Sequence, residues 1–211
     1  MNAFIFVLAA VAAFLVGSVN PAIILSRRLY RADVRRFGSR NPGFTNFQRV
    51  FGNDHAWGVI LFDFAKSAVL CLIFCPLFKN AVGMYHLGAA YTSLFTLLGH
   101  AFPLWHDFRG GKGVAVMFAA VWFIDWRAGV VVVLVFLALM ITTRYMSLSV
   151  LCAAATAPVT LLLAGTEHPA VWILTAVSVL FMIWRHRENL QRLAQGTESK
   201  FSFHRKTPTK E

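Results

Sequence analysis

The residues best suited to bind an anion lie in one short polar stretch, GHAFPLWHDFRGGKG at positions 99–113. Glycine lets backbone N–H groups approach an anion closely. Lys112, placed among glycines at 110, 111 and 113, adds a compact positive charge. The stretch is not a Walker A loop, because Lys112 is followed by glycine and not by Ser or Thr. The pattern predicts a phosphate-binding loop, and a flexible turn between two membrane helices is the alternative.

Two other polar segments carry glycine, hydroxyl, amide and basic side chains. One is GSRNPGFTN at 38–46, followed by Arg49. The other combines RYMSLS at 144–149 with RHRENLQR at 185–192 and GTESK at 196–200. All of these segments are separated by long apolar runs. If the apolar runs cross a membrane so that the polar segments share one face, they can assemble a single site.

The apolar runs predict an all-α integral membrane protein made of one domain, residues 1–211. Of the 211 residues, 58% are hydrophobic and only 14% are charged, whereas a soluble domain carries roughly 25% charged residues. A crossing helix needs about 20 residues. We place seven transmembrane helices at about 3–25, 56–78, 84–105, 113–126, 128–144, 148–165 and 170–185, with five or six as alternatives because the fourth and fifth are short. The first span has no positive residues before it, so we interpret it as retained and not as a cleaved signal.

The distribution of Lys and Arg predicts the orientation. With seven spans, 17 of the 20 basic residues fall on one side, only Lys79 and Arg127 fall on the other, and Lys66 lies inside a helix. The positive-inside rule then puts the N-terminus outside and the C-terminus, with all three polar segments, in the cytoplasm. The net charge of +11 is interspersed with membrane spans, which favours membrane lipids or an anionic substrate as partners over nucleic acid.

Few residues inside the predicted spans are chemically active. Cys71 and Cys75 share a helix face, but no further ligands lie nearby, so we expect buried thiols, no metal site and no cofactor. Asp63 and Lys66 are spaced i,i+3 and can pair on one face. An intramembrane pair of this kind either locks helices together or shapes the floor of a site.

The three polar segments resemble, in order and spacing, the motifs of the bacterial acyl-phosphate:glycerol-3-phosphate acyltransferases, the PlsY family, over nearly the whole chain. The segment at 38–46 resembles G-S-G-N-P-G-A-T-N. The segment from Gly99 to Ala115 resembles G-H-x-F-P-x-F-x-x-F-K-G-G-K-G-V-A. The segment at 186–200 resembles H-R-x-N-I-x-R-L-x-x-G-x-E-x-K.

The resemblance implies a seven-helix enzyme of the bacterial plasma or inner membrane, with its site facing the cytoplasm. It implies transfer of a fatty acyl group from acyl phosphate to the 1-hydroxyl of glycerol 3-phosphate, giving lysophosphatidate and phosphate. By motif position, the implied catalytic residues are Ser147, His186, Asn189 and Lys112. The implied substrate-binding residues are Ser39, Asn41, Thr45, Asn46, Arg49, His100, Gly111, Glu198 and Lys200.

The chain departs from the family pattern at several positions. Arg40 replaces a glycine, so we expect either a different backbone there or a negative φ, since arginine disfavours φ > 0. Ser67 replaces the glycine of D-x-x-K-G, and Arg109 replaces the first lysine of K-G-G-K-G. A divergent paralogue with another acceptor is therefore an alternative function, as is a membrane anion transporter. A non-catalytic membrane scaffold is a third, but it would not require three such motifs on one face.

The residues themselves favour positioning and charge as the source of catalysis, because phosphate is a good leaving group. Lys112, Arg49 and the N–H groups of 110–113 would supply the charge. His186 or the acyl phosphate could take the proton, and the resemblance favours the acyl phosphate. We expect acyl phosphate and not a thioester as donor, because none of the seven histidines starts the H-x-x-x-x-D motif of thioester-dependent glycerolipid acyltransferases.

Overall fold

The computed structural model describes residues 2–165 and 168–202. Over these residues the chain forms ten α-helices and two short 3₁₀ segments, with no strand. The helices are α1 (Asn2–Gly17), α2 (Pro21–Tyr30), α3 (Phe44–Phe51), α4 (Ala56–Val82), α5 (Tyr85–Ala101), α6 (Val114–Ile124), α7 (Trp126–Thr143), α8 (Met146–Leu163), α9 (Pro169–Arg185) and α10 (Arg187–Ala194). The 3₁₀ segments are Val34–Arg36 and Leu104–His106.

Helices occupy all seven regions predicted to cross the membrane, and the all-α prediction is confirmed. Within the described residues, four stretches are long and apolar enough to span a bilayer: Ala3–Tyr30, α4, α7 and α8. Counting α9 and α10 as one span, although they meet at a bend of 59°, gives a fifth candidate span. Helix α6 is apolar but shorter. The seven-span count and the orientation of the termini therefore remain predictions. Three of the basic residues counted as cytoplasmic, Arg205, Lys206 and Lys210, lie outside the described residues.

The first predicted span, 3–25, lies within the candidate span Ala3–Tyr30, but the structure adds a helix break inside it. Helix α1 ends at Gly17 and α2 begins at Pro21. The side chain of Asn20 accepts a hydrogen bond from the Ile23 N–H at 3.0 Å, and proline suits the first helical position because it lacks an N–H. Hydropathy is continuous across this point, so only the cap residues signal the break.

Close packing between α1 and α5 depends on glycine at two positions. A Cβ on Gly17 would lie 2.4 Å from the Thr96 carbonyl oxygen, and one on Gly99 would lie 2.2 Å from the Phe14 carbonyl oxygen. Small residues let helix backbones approach within a membrane, where packing and not the hydrophobic effect holds helices together. This approach fixes the end of α5, from which the 99–113 stretch departs.

A separate small core packs α2, α3 and the start of α4 together. It contains buried side chains from α2, the first 3₁₀ segment, α3 and the start of α4: Ala22, Ile23, Val34, Phe47, Phe51, Ala56 and Val59. Phe47 is fully buried there, with Tyr30 edge-on to its ring. This core carries the 38–46 segment and presents the N-terminus of α3 toward the centre of the molecule.

Candidate active site

One cavity of about 570 Å³ joins all three polar segments. Eleven of the thirteen predicted site residues line it: Ser39, Asn41, Thr45, Asn46, Arg49, His100, Lys112, Ser147, His186, Asn189 and Glu198. They come from α3, α5, α8, α10 and the loops between helices, which are far apart in sequence. The structure therefore brings the three motifs into one place, as the shared-face interpretation requires.

Lys112 is the principal cation on the 99–113 side of the cavity. Its Nζ donates a hydrogen bond to Asn189 Oδ1, which joins the second motif to the third. Burial lowers the pKa of Lys112 from its ordinary value to about 8, and the positive charge of Arg192 adds to the effect, while Glu188 and Glu198 oppose it. Lys112 is thus a mostly protonated cation at neutral pH whose charge is only partly compensated.

Glu198 organises the third motif. Its Oε1 accepts hydrogen bonds from Ser147 Oγ at 2.7 Å and Asn189 Nδ2 at 2.6 Å, and its Oε2 accepts one from Arg192 Nε at 2.7 Å. Burial acts to raise the pKa of Glu198, but these three donors outweigh it and hold the pKa below its ordinary value. A single carboxylate thus orients three polar side chains at the cavity.

His186 lies buried just past the end of α9. Its Nδ1 is 2.8 Å from the Met182 carbonyl oxygen, so Nδ1 carries the proton and donates to that oxygen. Burial, followed by the charge of Lys112, lowers the pKa of His186 to about 4. The ring is therefore neutral at pH 7, with Nε2 available as an acceptor. Ser147 is bonded to Glu198 and not to this histidine, so the geometry provides no serine–histidine nucleophile.

The first motif meets the cavity through the N-terminus of α3. Asn46 folds the motif: its Nδ2 donates to the Val34 and Phe37 carbonyl oxygens at 3.3 and 3.0 Å, and its Oδ1 accepts from the Ser39 N–H at 2.8 Å. Asn46 is therefore a structural part of this loop. The first N–H groups of a helix have no partner within it, so the start of α3 favours an anion beside Thr45.

Similarity to known proteins identifies the family of this chain. The model of the glycerol-3-phosphate acyltransferase family matches residues 7–196. Glycerol-3-phosphate acyltransferases from Coxiella burnetii and Rhodopseudomonas palustris are 35% and 39% identical over 92% and 93% of this chain, and over 97% and 96% of those proteins. The chain belongs to this family.

Solved structures of a relative show the same fold. The crystal structure of PlsY, an integral membrane glycerol 3-phosphate acyltransferase, in its glycerol 3-phosphate form has a TM-score of 0.84 and 31% identity, covering 93% of this chain and 96% of that one. Its lysophosphatidic acid form has a TM-score of 0.80 and 29% identity, covering 93% and 95%. This chain is accordingly an all-helical integral membrane protein over its described residues.

The glycine loop at 110–113 does not offer all of the backbone N–H groups that the sequence predicted for anion binding. The N–H of Gly110 donates to the Ala101 carbonyl oxygen, and the N–H of Gly111 to the His100 carbonyl oxygen, both at 3.1 Å. The prediction that these two amides bind an anion is therefore wrong, because α5 already uses them. Glycine is needed there for space: a Cβ on Gly111 would lie 2.2 Å from His100 Nε2.

Two of the predicted site residues lie outside the cavity lining, and the expectation for the Arg40 backbone needs correction. Gly111 and Lys200 are not among the residues that line the cavity; Lys200 is exposed, with its Nζ 5.8 Å from the centre of the Tyr145 ring. Arg40, expected to avoid positive φ unless the backbone differed, has φ of 59° and occupies the left-handed conformation. The glycine-like backbone is thus retained although the residue is arginine.

The predicted Asp63–Lys66 pair forms at the floor of the cavity, which is consistent with both interpretations. Lys66 Nζ lies 2.7 Å from Asp63 Oδ1 and also donates to the Gly17 and Val19 carbonyl oxygens at 3.0 and 2.9 Å. Asp63 lines the cavity, and His100 Nδ1 lies 3.3 Å from its Oδ1. The pair therefore locks the break between α1 and α2 and also forms part of the site.

The sequence interpretation missed Arg192, Ser199 and an apolar extension of the cavity. Arg192 could have been found from its place in the third motif. The apolar extension is lined by Ile60, Phe64, Phe118, Trp122, Val133, Phe136 and Val150. Phe118 and Trp122 are spaced i,i+4 on one face of α6. In helices that are apolar on every side, no sequence signal separates such a wall from the core.

Proposed function

We propose that this protein transfers a fatty acyl group from acyl phosphate to the 1-hydroxyl of glycerol 3-phosphate, releasing lysophosphatidate and inorganic phosphate. The observation that carries the proposal is the lining of the cavity, which combines cationic and polar side chains from the three motifs with apolar side chains from four helices. Lys112, Arg49 and Arg192 would bind the two phosphates, and the wall formed by α4, α6, α7 and α8 would bind the acyl chain.

The reaction needs few chemical groups from the protein. The acceptor hydroxyl oxygen attacks the acyl carbonyl carbon, the bond from this carbon to the phosphate oxygen breaks, and the hydroxyl proton leaves on the departing phosphate. Lys112 would stabilise charge on the donor, because it is a desolvated cation in a partly closed site. His186, neutral and with Nε2 free to accept, would orient the hydroxyl.

Acyl phosphate is favoured over a thioester because Lys112, Arg49 and Arg192 line the cavity. A phosphate leaves with negative charge that Lys112 can neutralise, and no H-x-x-x-x-D motif is present for thioester chemistry. We also propose that the site faces the cytoplasm of a bacterial plasma or inner membrane, on the basis of the Lys and Arg distribution, and that residues 1–211 form one domain.

The test is an assay of the purified, detergent-solubilised protein with radiolabelled glycerol 3-phosphate and, side by side, acyl phosphate, acyl-CoA and acyl carrier protein thioester. We expect labelled lysophosphatidate with acyl phosphate only. Comparable or faster turnover with acyl-CoA would overturn the donor assignment. Absence of product with every donor, in folded protein, would favour a paralogue with another acceptor.

A further inference from the structure

Arg185, the last residue of α9, is bonded to the loop that carries Lys112. Its Nη2 donates to the carbonyl oxygens of Gly110 and Gly111, both at 3.0 Å. The guanidinium also lies 5.4 Å from the centre of the Phe102 ring, at the start of the same loop. The Gly111 carbonyl belongs to the peptide unit that ends at the Lys112 nitrogen, so Arg185 acts on the backbone directly before Lys112.

The loop depends on contacts of this kind because its own backbone is unfavourable. Asp107 and Phe108 both have positive φ, 57° and 55°, a conformation that residues with a Cβ rarely adopt. Phe108 is 55% exposed, so packing of its side chain does not hold it there. The amides of Gly110 and Gly111 attach the loop to α5, and their carbonyls attach it to α9 through Arg185.

Arg185 also links the loop to His186, the next residue in the chain after Arg185. His186 lines the cavity, whereas Arg185 is not among the residues that do so. The end of α9 therefore places His186 at the cavity and, one residue earlier, holds the loop of Lys112. A displacement of this helix end would move both groups together.

We propose that Arg185 is a positioning residue, which fixes the backbone at Gly110 and Gly111 so that Lys112 is held in register with His186 across the cavity. Its effect on turnover rests on the proposed acyl transfer, but its effect on the loop does not. Nη2 is bonded to the two loop carbonyls and Arg185 is not among the residues that line the cavity, so Arg185 acts through Lys112 and not on the substrate.

Arg187 is a matched control. It lies two residues further on, is exposed, and has its guanidinium 4.9 Å from the Trp184 ring, but its side chain donates to the Trp184 carbonyl oxygen and not to the loop. Arg187→Ala therefore removes the same charge from the same region and leaves the loop contacts intact.

The kinetic arm compares Arg185→Ala, Arg185→Lys and Arg187→Ala in purified full-length protein, with rates normalised to the monodisperse folded fraction. We expect Arg185→Ala to lower kcat roughly ten- to hundredfold, the size expected for a displacement of about 1 Å in a catalytic group. The KM for glycerol 3-phosphate should change less than kcat. The kcat of Arg185→Lys should lie between those of Arg185→Ala and the wild type, because lysine keeps the charge and lacks the planar guanidinium. Arg187→Ala should stay within about threefold of wild type.

The spectroscopic arm measures the loop directly. In a Cys152→Ser background, a nitroxide is attached at Phe108→Cys; Cys152 is the exposed native cysteine, and Cys71 and Cys75 are buried. We expect Arg185→Ala to increase the mobility of the label, and Arg187→Ala to leave it unchanged. This signal needs no substrate, so it tests the positioning role even if wild-type protein shows no acyl transfer, an outcome that would count against the proposed function alone.

Three results would overturn the proposal. One is unchanged label mobility in Arg185→Ala. Another is full kcat in that variant when the wild-type protein is active. The third is an equal loss of kcat in Arg187→Ala, which would assign the effect to charge in this region and not to the two carbonyl contacts.

Discussion

Titration of Lys112 should set the alkaline limit of activity. Burial and the nearby charge of Arg192 bring the pKa of Lys112 to about 8, well below the ordinary value for lysine. A substrate phosphate interacts strongly only with the protonated form. Activity should therefore be nearly complete at pH 7 and below, fall to about half at the pKa of Lys112 and be lost as the pH rises further.

The expected size of the effect follows from that pKa. With a pKa of about 8, roughly nine-tenths of Lys112 is protonated at pH 7 and roughly one-tenth at pH 9. The value of kcat/KM should therefore fall about tenfold for each pH unit well above 8. Complete removal of the charge in Lys112→Ala should lower kcat/KM further. Two unit charges about 4 Å apart, at an effective dielectric constant of about 20, attract each other by roughly 4 kcal/mol. This corresponds to a loss of roughly a thousandfold.

The assay is kcat/KM for glycerol 3-phosphate with acyl phosphate between pH 7 and 10, where the substrate phosphates no longer change their charge. Lys112→Arg is the control for protonation, because an arginine remains charged throughout this range. The kcat/KM of Lys112→Arg should therefore not fall between pH 8 and 10. Its rate at pH 7 should still be low, because a planar guanidinium does not replace a compact ammonium between two glycines.

Two outcomes would refute this reasoning. A wild-type profile that stays flat from pH 7 to 10 would show that Lys112 is not a charged ligand with a depressed pKa. Activity of Lys112→Ala within a few-fold of wild type, in protein that elutes as a folded monodisperse species, would show that Lys112 does not contact a substrate phosphate.

Three further predictions follow from the structure. Glu198→Gln should lower kcat/KM roughly ten- to hundredfold, because an amide cannot accept at both oxygen positions and loses a charge-assisted hydrogen bond; activity within threefold of wild type would contradict this. Arg40→Gly should keep activity and change the melting temperature by only a few degrees, since relief of about 1 kcal/mol of left-handed strain is offset by chain entropy; a large drop in turnover would instead indicate that the Arg40 side chain binds substrate. Tags at Met1 and Glu211, which lie outside the described residues, should report opposite sides of the membrane with the C-terminus cytoplasmic; finding both on one side would contradict the seven-span topology.

The sequence was sufficient for the features that depend on local pattern. Long apolar runs located a helix in every predicted span region, because hydropathy and length decide where a chain can sit in a bilayer. The i,i+3 spacing of Asp63 and Lys66 predicted an ion pair that forms at 2.7 Å, because helix geometry alone puts these residues on one face. The motifs also identified most of the polar residues that line the cavity.

Tertiary structure decided which of those polar groups are available. The sequence predicted that the N–H groups of Gly110 and Gly111 would bind an anion, yet they donate to carbonyl oxygens of α5. The side-chain amide of Asn46 is hydrogen-bonded within its own loop. Glu198, predicted by motif to bind substrate, accepts hydrogen bonds from three side chains. A donor or acceptor is available to a ligand only if it is not already hydrogen-bonded within the protein. The partners of these groups lie 6 to 51 residues away along the chain, and the folded structure decides which of them come within hydrogen-bond distance.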